Sequence, residues 1–181
     1  MQRVVWLQIG FILSVLVGGE GLLLFFPSPY QIKAAVHGLS SVLAIATSTY
    51  LVHRIYPVLR GAKAAWSALP NWLIAAVATN LAAAISGNWI YMRYRGEGGP
   101  RAWILANAPG FHNVLMEFKE FISLFPCFLL TVAVFCAYYY GEQVMRRREL
   151  SQFFVALILA AWIFALIGWM SGLTLAKLRF V

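Results

Sequence analysis

Apolar residues run through the chain in stretches of spanning length, and the polar residues gather in short groups between them. Residues 4–26, 32–59, 71–92, 111–140 and 150–175 are each long enough to cross a hydrocarbon core, which takes roughly 20 residues. The expected fold is all-α: an integral membrane bundle of about five transmembrane helices, with residues 1–181 forming one domain. The first run is too long for a signal peptide, carries Glu20, and ends in Pro27-Ser28-Pro29 with no small-residue cleavage site. The loop 93–110 is stopped by Gly96, Gly98, Gly99 and Pro100, and Arg101–Asn107 is expected as a short interfacial helix with Trp103 at headgroup level. Leu69–Pro70 is expected to precede the third span, and Pro126 to kink the fourth. Ser41, Ala44 and Ser48 continue the face of His37, and Asn80, Ala84, Gly87 and Tyr91 share a face of the third span. Both are small-residue stripes suited to close helix contact.

Composition narrows the class. Hydrophobic residues make up 62% of the chain and charged residues 11%, against roughly 25% charged in a soluble domain. The formal charge of +8 is not a nucleic-acid signal. The basic residues sit in short clusters between apolar runs, where they serve topology and lipid headgroup contacts, and the bilayer is the first expected partner. The clusters around Arg54, Arg60 and Arg146–Arg148 lean towards an N-terminus inside, in a bacterial inner membrane. Cys127 and Cys136 fall on opposite faces of one span, about 13 Å apart along it, and cannot bridge each other.

The candidate chemistry centres on Phe111–Glu120, FHNVLMEFKE. At roughly 100° per residue, His112, Asn113, Glu117, Lys119 and Glu120 fall within an arc of about 160°, leaving Val114, Phe118 and Phe121 for lipid. Alternating span direction puts Glu20, His37, Asn88, Tyr91, His112, Glu117 and Glu120 on one membrane side, within roughly 12 Å of the interface. His53 falls on the other side and reads as a headgroup-level residue; Lys119 reads as a neutralising partner of Glu120. Ionisable groups in a span normally face protein, water, or a bound ion or cofactor.

Two histidines from different helices at matched depth, His37 and His112, suit axial ligation of a haem b iron. Carboxylate or amide neighbours could fix their tautomers, Asn88 and Tyr91 lie close by in depth, and Arg93 or Arg95 could pair with the propionates. The same histidines with Glu20, Glu117 and Glu120 form an alternative non-haem site for iron or another transition metal. Here the i,i+3 pair is Glu117 and Glu120, not the Glu-x-x-His of di-iron bundles. With His37 and His112 on two spans at one depth, the plan resembles small membrane cytochromes b. That resemblance implies one bis-histidine haem.

The function expected on this reading is an electron-transfer subunit that holds one b-type haem and exchanges electrons with quinone or quinol. Other membrane or membrane-peripheral redox subunits would be its partners. No nucleophile–base pair, phosphate loop or nucleotide fingerprint points to catalysis by the chain alone. Two rivals stay open: a cofactor-free accessory subunit of a larger membrane complex, and a proton or ion path through Glu20, Glu117 and Glu120.

Overall fold

A computed structural model describes residues 30–60 and 62–178, together with Gly10. The expected first span and Glu20 lie outside the described residues. Four long helical elements carry the described fold: α1 (Tyr30–Leu59), α2 (Lys63–Arg95), a third span in pieces, and α7 (Arg148–Leu178). The third span opens with a π-helical turn (Phe111–Met116) and continues through α4 (Glu117–Ile122) and α5 (Phe125–Tyr140). Short helices α3 (Pro100–Asn107) and α6 (Gln143–Arg146) fill the connections. Among the described residues, four helices are long and apolar enough to cross a membrane. Their outward faces match: Leu39 is 64% exposed, Val114 69% and Phe128 66%, a distribution suited to lipid. The protein is an all-α, multi-pass membrane bundle.

The long elements form a closed ring. α1 packs on α2 and α7, α5 packs on α2 and α7, and α1 and the 111–140 span lie across the ring from each other. The two small-residue stripes read from the sequence meet at the α1–α2 contact. Asn80 donates to Ser48 Oγ at 3.1 Å, Thr47 and Thr79 pair at 2.8 Å, and the Tyr50 and Trp72 rings lie 4.3 Å apart. These contacts fix an antiparallel register.

The span ends depart from expectation at one proline. α2 begins at Lys63 and carries Pro70 inside it, whereas the sequence reading starts this span after Leu69–Pro70. An interior proline forfeits one backbone hydrogen bond and costs about 3 kcal/mol. The extra turns bury Trp66 and Leu69 in the core, which offsets that loss. Pro126 behaves nearly as expected. The helix ends at Ile122, turns through Ser123 and Leu124, and restarts with Pro126 in the first turn of α5, where its missing N–H has no partner to lose.

The main core fills the half of the bundle near the 60–62 and 141–147 connections. Leu51, Leu69, Leu73, Leu130, Ala133, Phe154 and Ile158 are almost fully buried there, with no Asp, Glu, Lys, Arg or His among the buried set. The other half holds a smaller cluster around Tyr94, Ile104, Met116 and Leu175. That half carries the buried imidazole His112.

Candidate functional site

The site is built where α2 ends and the third span begins. Gly98 turns the chain with φ +66°, a left-handed conformation that suits glycine. Gly99 is fixed by space: a Cβ there would collide with the Arg93 carbonyl oxygen and stand 2.6 Å from that of Tyr94. This tight return starts α3 at Pro100 and sets Arg101 over the head of the third span. The expected interfacial helix is present, with Trp103 exposed and Ile104 buried.

His112 lies under that return and is 2% exposed. It sits in the π-helical turn, where the Glu117 N–H reaches back to the His112 carbonyl. Such turns insert an extra residue into a helix and recur at functional sites. Arg101 Nε donates to His112 Nε2 at 3.0 Å. A guanidinium has no acceptor, so Nε2 carries the lone pair and the proton sits on Nδ1. Nδ1 then donates to the Tyr94 hydroxyl oxygen at 3.0 Å. Glu117 Oε1 stands 3.8 Å from Nε2, outside hydrogen-bond reach, with its carboxylate largely exposed.

A second pair lies beside this one. Tyr91 stacks on Tyr94 at 5.6 Å, Arg95 lies 4.6 Å above the Tyr91 ring, and Arg95 approaches Glu120 at 3.9 Å. The Tyr91 hydroxyl faces Glu120 and Arg95, yet neither it nor Glu120 Oε1 reaches hydrogen-bond geometry with any described partner. Two buried polar atoms are therefore left without a bond, a costly arrangement that usually has a functional or solvent explanation.

His37 occupies a different pocket. Its Nδ1 donates to the Ala83 carbonyl at 3.0 Å and lies 3.3 Å from Ser86 Oγ, and its ring rests on Gly87. The bond to Ala83 leaves Nε2 as the acceptor nitrogen. The two imidazoles meet α2 at Ser86 and Tyr94, about 12 Å apart along its axis at 1.5 Å per residue, so they do not stand at the one depth expected from the sequence. His53 is exposed.

The remaining candidates scatter. Asn88 is exposed, and Arg93 turns away from Arg95 to stack on Tyr30 at 4.4 Å. Among the described residues, no three His, Cys, Asp or Glu side chains converge as a metal site, so Glu117 and Glu120 do not form the donor cluster a non-haem metal would need from this part of the chain. A bis-histidine haem asks for one open nitrogen on each imidazole. His37 meets that requirement, with its tautomer set by a carbonyl as in many ligating histidines. His112 does not fit as arranged, since Arg101 and Tyr94 engage both of its nitrogens.

Two residues escaped the sequence reading of this site. Tyr94 and Arg101 hold His112, and the only signal for them is the tight glycine turn that must bring 94 and 101 together. Lys119, read as a charge partner of Glu120, points to the inward edge of the polar arc. Its Cε lies 3.4 Å from where a Cβ on Gly172 would stand, and its charge acts on both His37 and Glu120. The opposite edge of the arc, Asn113 and Glu117, is exposed. No protein-family model, curated protein or solved structure matches this chain.

Proposed function

We propose that this chain is a membrane-embedded redox subunit that binds quinone or quinol at the Tyr94–His112–Arg101 end, beside a partner subunit that supplies or removes the electrons. One observation carries the reading: a buried imidazole placed between an exposed carboxylate, Glu117, and an interior phenol, Tyr94. Reducing a quinone takes two electrons and two protons, and the protons must come from water outside the bilayer. Glu117, His112 and Tyr94 are groups that take and give protons, arranged from the exposed edge inwards, and Arg101 offers a fixed positive charge for an oxygen that gains electron density. A b-type haem bound in the same subunit would supply one-electron transfer; among the chain's own residues His37 suits its iron, whereas His112, about 12 Å farther along α2 and bonded to Arg101 and Tyr94, does not serve as its second ligand. The subunit's place is a bacterial inner membrane, with the N-terminus inside.

A cofactor-free accessory subunit is the second reading. It is favoured by the completeness of the His112 bonds, which would serve equally well to tie α3 to the bundle.

The test uses purified protein in detergent. A short-chain quinone is titrated against tryptophan fluorescence, and a reduced-minus-oxidised absorption spectrum is recorded on the same sample. Saturable binding is expected, weakened about tenfold by H112L, since losing a hydrogen bond to a ligand-facing network costs roughly 1.5 kcal/mol. A sharp low-spin band pair would add haem to the subunit. Absence of saturable quinone binding, with a colourless sample, favours the accessory reading.

A further inference from the structure

At the same end of the bundle, Tyr30, Lys33, Trp89, Met92 and Arg93 line an open pocket of about 240 Å³. None of these residues takes part in the hydrogen bonds or ion pairs of the His112 network. We propose that this pocket binds the phosphodiester headgroup of an anionic phospholipid.

The charge pattern carries the argument. Two cations from two helices, Lys33 of α1 and Arg93 of α2, line one pocket. Among the described residues no carboxylate stands within ion-pair distance of either. Like charges brought together without a counter-charge call for an anion. The Arg93 guanidinium lies 4.4 Å above the Tyr30 ring, which restricts its rotamers before a ligand arrives. The Tyr30 hydroxyl is buried and has no described hydrogen-bond partner, so it brings a spare donor. A planar guanidinium matches two phosphate oxygens, an ammonium adds a point charge, and a phenol donates a third bond.

Position selects a lipid over free phosphate. Arg93 lies in the last turn of α2, which ends at Arg95, so the pocket stands where a spanning helix meets the headgroups. Beside it, Ile32, Val36 and Leu39 of α1 are 54%, 41% and 64% exposed, and Met92 of α2 is 60% exposed. Ile32, Val36 and Leu39 recur at i, i+4 and i+7, one side of a helix. They offer an acyl chain a strip to follow away from the cations, as in other basic sites between transmembrane helices.

The experiment is native mass spectrometry of the full chain in detergent, titrated with dioleoylphosphatidylglycerol or dioleoylphosphatidylcholine. The wild-type protein should retain the anionic lipid preferentially. K33Q combined with R93Q should lower that retention about 30-fold, and each single change about fivefold, at roughly 1 kcal/mol per cation near the surface. Circular dichroism checks that the variants stay helical; if the double variant does not fold, the single variants decide. Equal retention of the two lipids by wild type, or unchanged retention by both single variants, overturns the proposal. Displacement of the lipid by inorganic phosphate at equal concentration overturns the lipid assignment and leaves a simple anion site. The outcome is independent of quinone binding, which involves none of these residues.

Discussion

The two halves of the bundle are held by different physics. In the half near the 60–62 and 141–147 connections, the buried side chains are leucines, alanines and valines with Ile55, Trp66, Cys136, Phe154 and Ile158, and what they require of each other is mainly shape. In the other half, His112, Tyr94 and Arg101 are joined by bonds of fixed direction, and His37 and Lys119 lie across glycines of neighbouring helices. The apolar half can exchange residues of equal volume. The polar half cannot, because an unpaired donor or acceptor inside protein has nowhere to turn. A region that specifies positions so narrowly suits binding and chemistry, while the shape-packed region supplies the rigid frame beneath it.

The largest effect separating the halves should come from Leu73, which is fully buried in the apolar core. Leu73→Ala should destabilise the protein by about 3 kcal/mol through the cavity it leaves. Leu73→Met keeps the volume and should cost below about 1.5 kcal/mol. Thermal unfolding in detergent measures both; equal losses for the two changes would show that volume is not what this half reads.

His112→Leu follows, at about 2 kcal/mol, since it keeps bulk but strands the Tyr94 hydroxyl and one Arg101 donor. Adding Arg101→Met should cost much less than the two single changes together, as expected for residues acting as a unit. Simple additivity in that double-mutant cycle would dissolve the distinction between the halves.

Gly87→Ala should be milder, roughly 1 kcal/mol. The new methyl would stand 3.0 Å from His37 Cε1, so the imidazole must shift off α2 and stretch its bond to Ala83. Histidine NMR would report this as a change at the His37 ring with His112 undisturbed. A change at both rings would mean that the two pockets are coupled.

The smallest effect belongs to Glu117→Gln. Its carboxylate is 55% exposed and 3.8 Å from His112, so stability should move by less than about 0.5 kcal/mol. Under the proposed function, quinone reduction in the presence of the electron-supplying partner should nevertheless slow several-fold. A variant with unchanged turnover removes Glu117 from the proton route.

Much of this molecule was legible in its sequence. Hydrophobic run length placed the described spans to within a few residues except at the start of α2, which begins at Lys63 and not at 71, because bilayer thickness fixes how long an apolar helix must be. The Gly96–Pro100 turn, the short helix after it, and the use of two small-residue stripes for close helix contact also followed from local chemistry, since glycine and proline act through their own backbone and small side chains allow close approach; that the two stripes meet each other is a tertiary result. Pro70 was misread because its local penalty is outweighed by the burial of Trp66 and Leu69, which is a tertiary gain.

Which polar residues meet was decided only by the tertiary structure. Periodicity places His112, Lys119 and Glu117 on one arc, but it fixes neither the rotation of that helix in the ring nor the extra residue of the π-helical turn. As built, the arc's Lys119 edge faces inward and its Glu117 edge outward. Counting residues at 1.5 Å each places a residue along its own span, whereas the offset of one span against another and its lateral neighbours follow from packing in the ring, which is why His37 and His112 meet α2 at Ser86 and Tyr94. That order sets α1 across from the 111–140 span, so His37 settles against Ala83 and Gly87 while His112 settles against Tyr94 and Arg101.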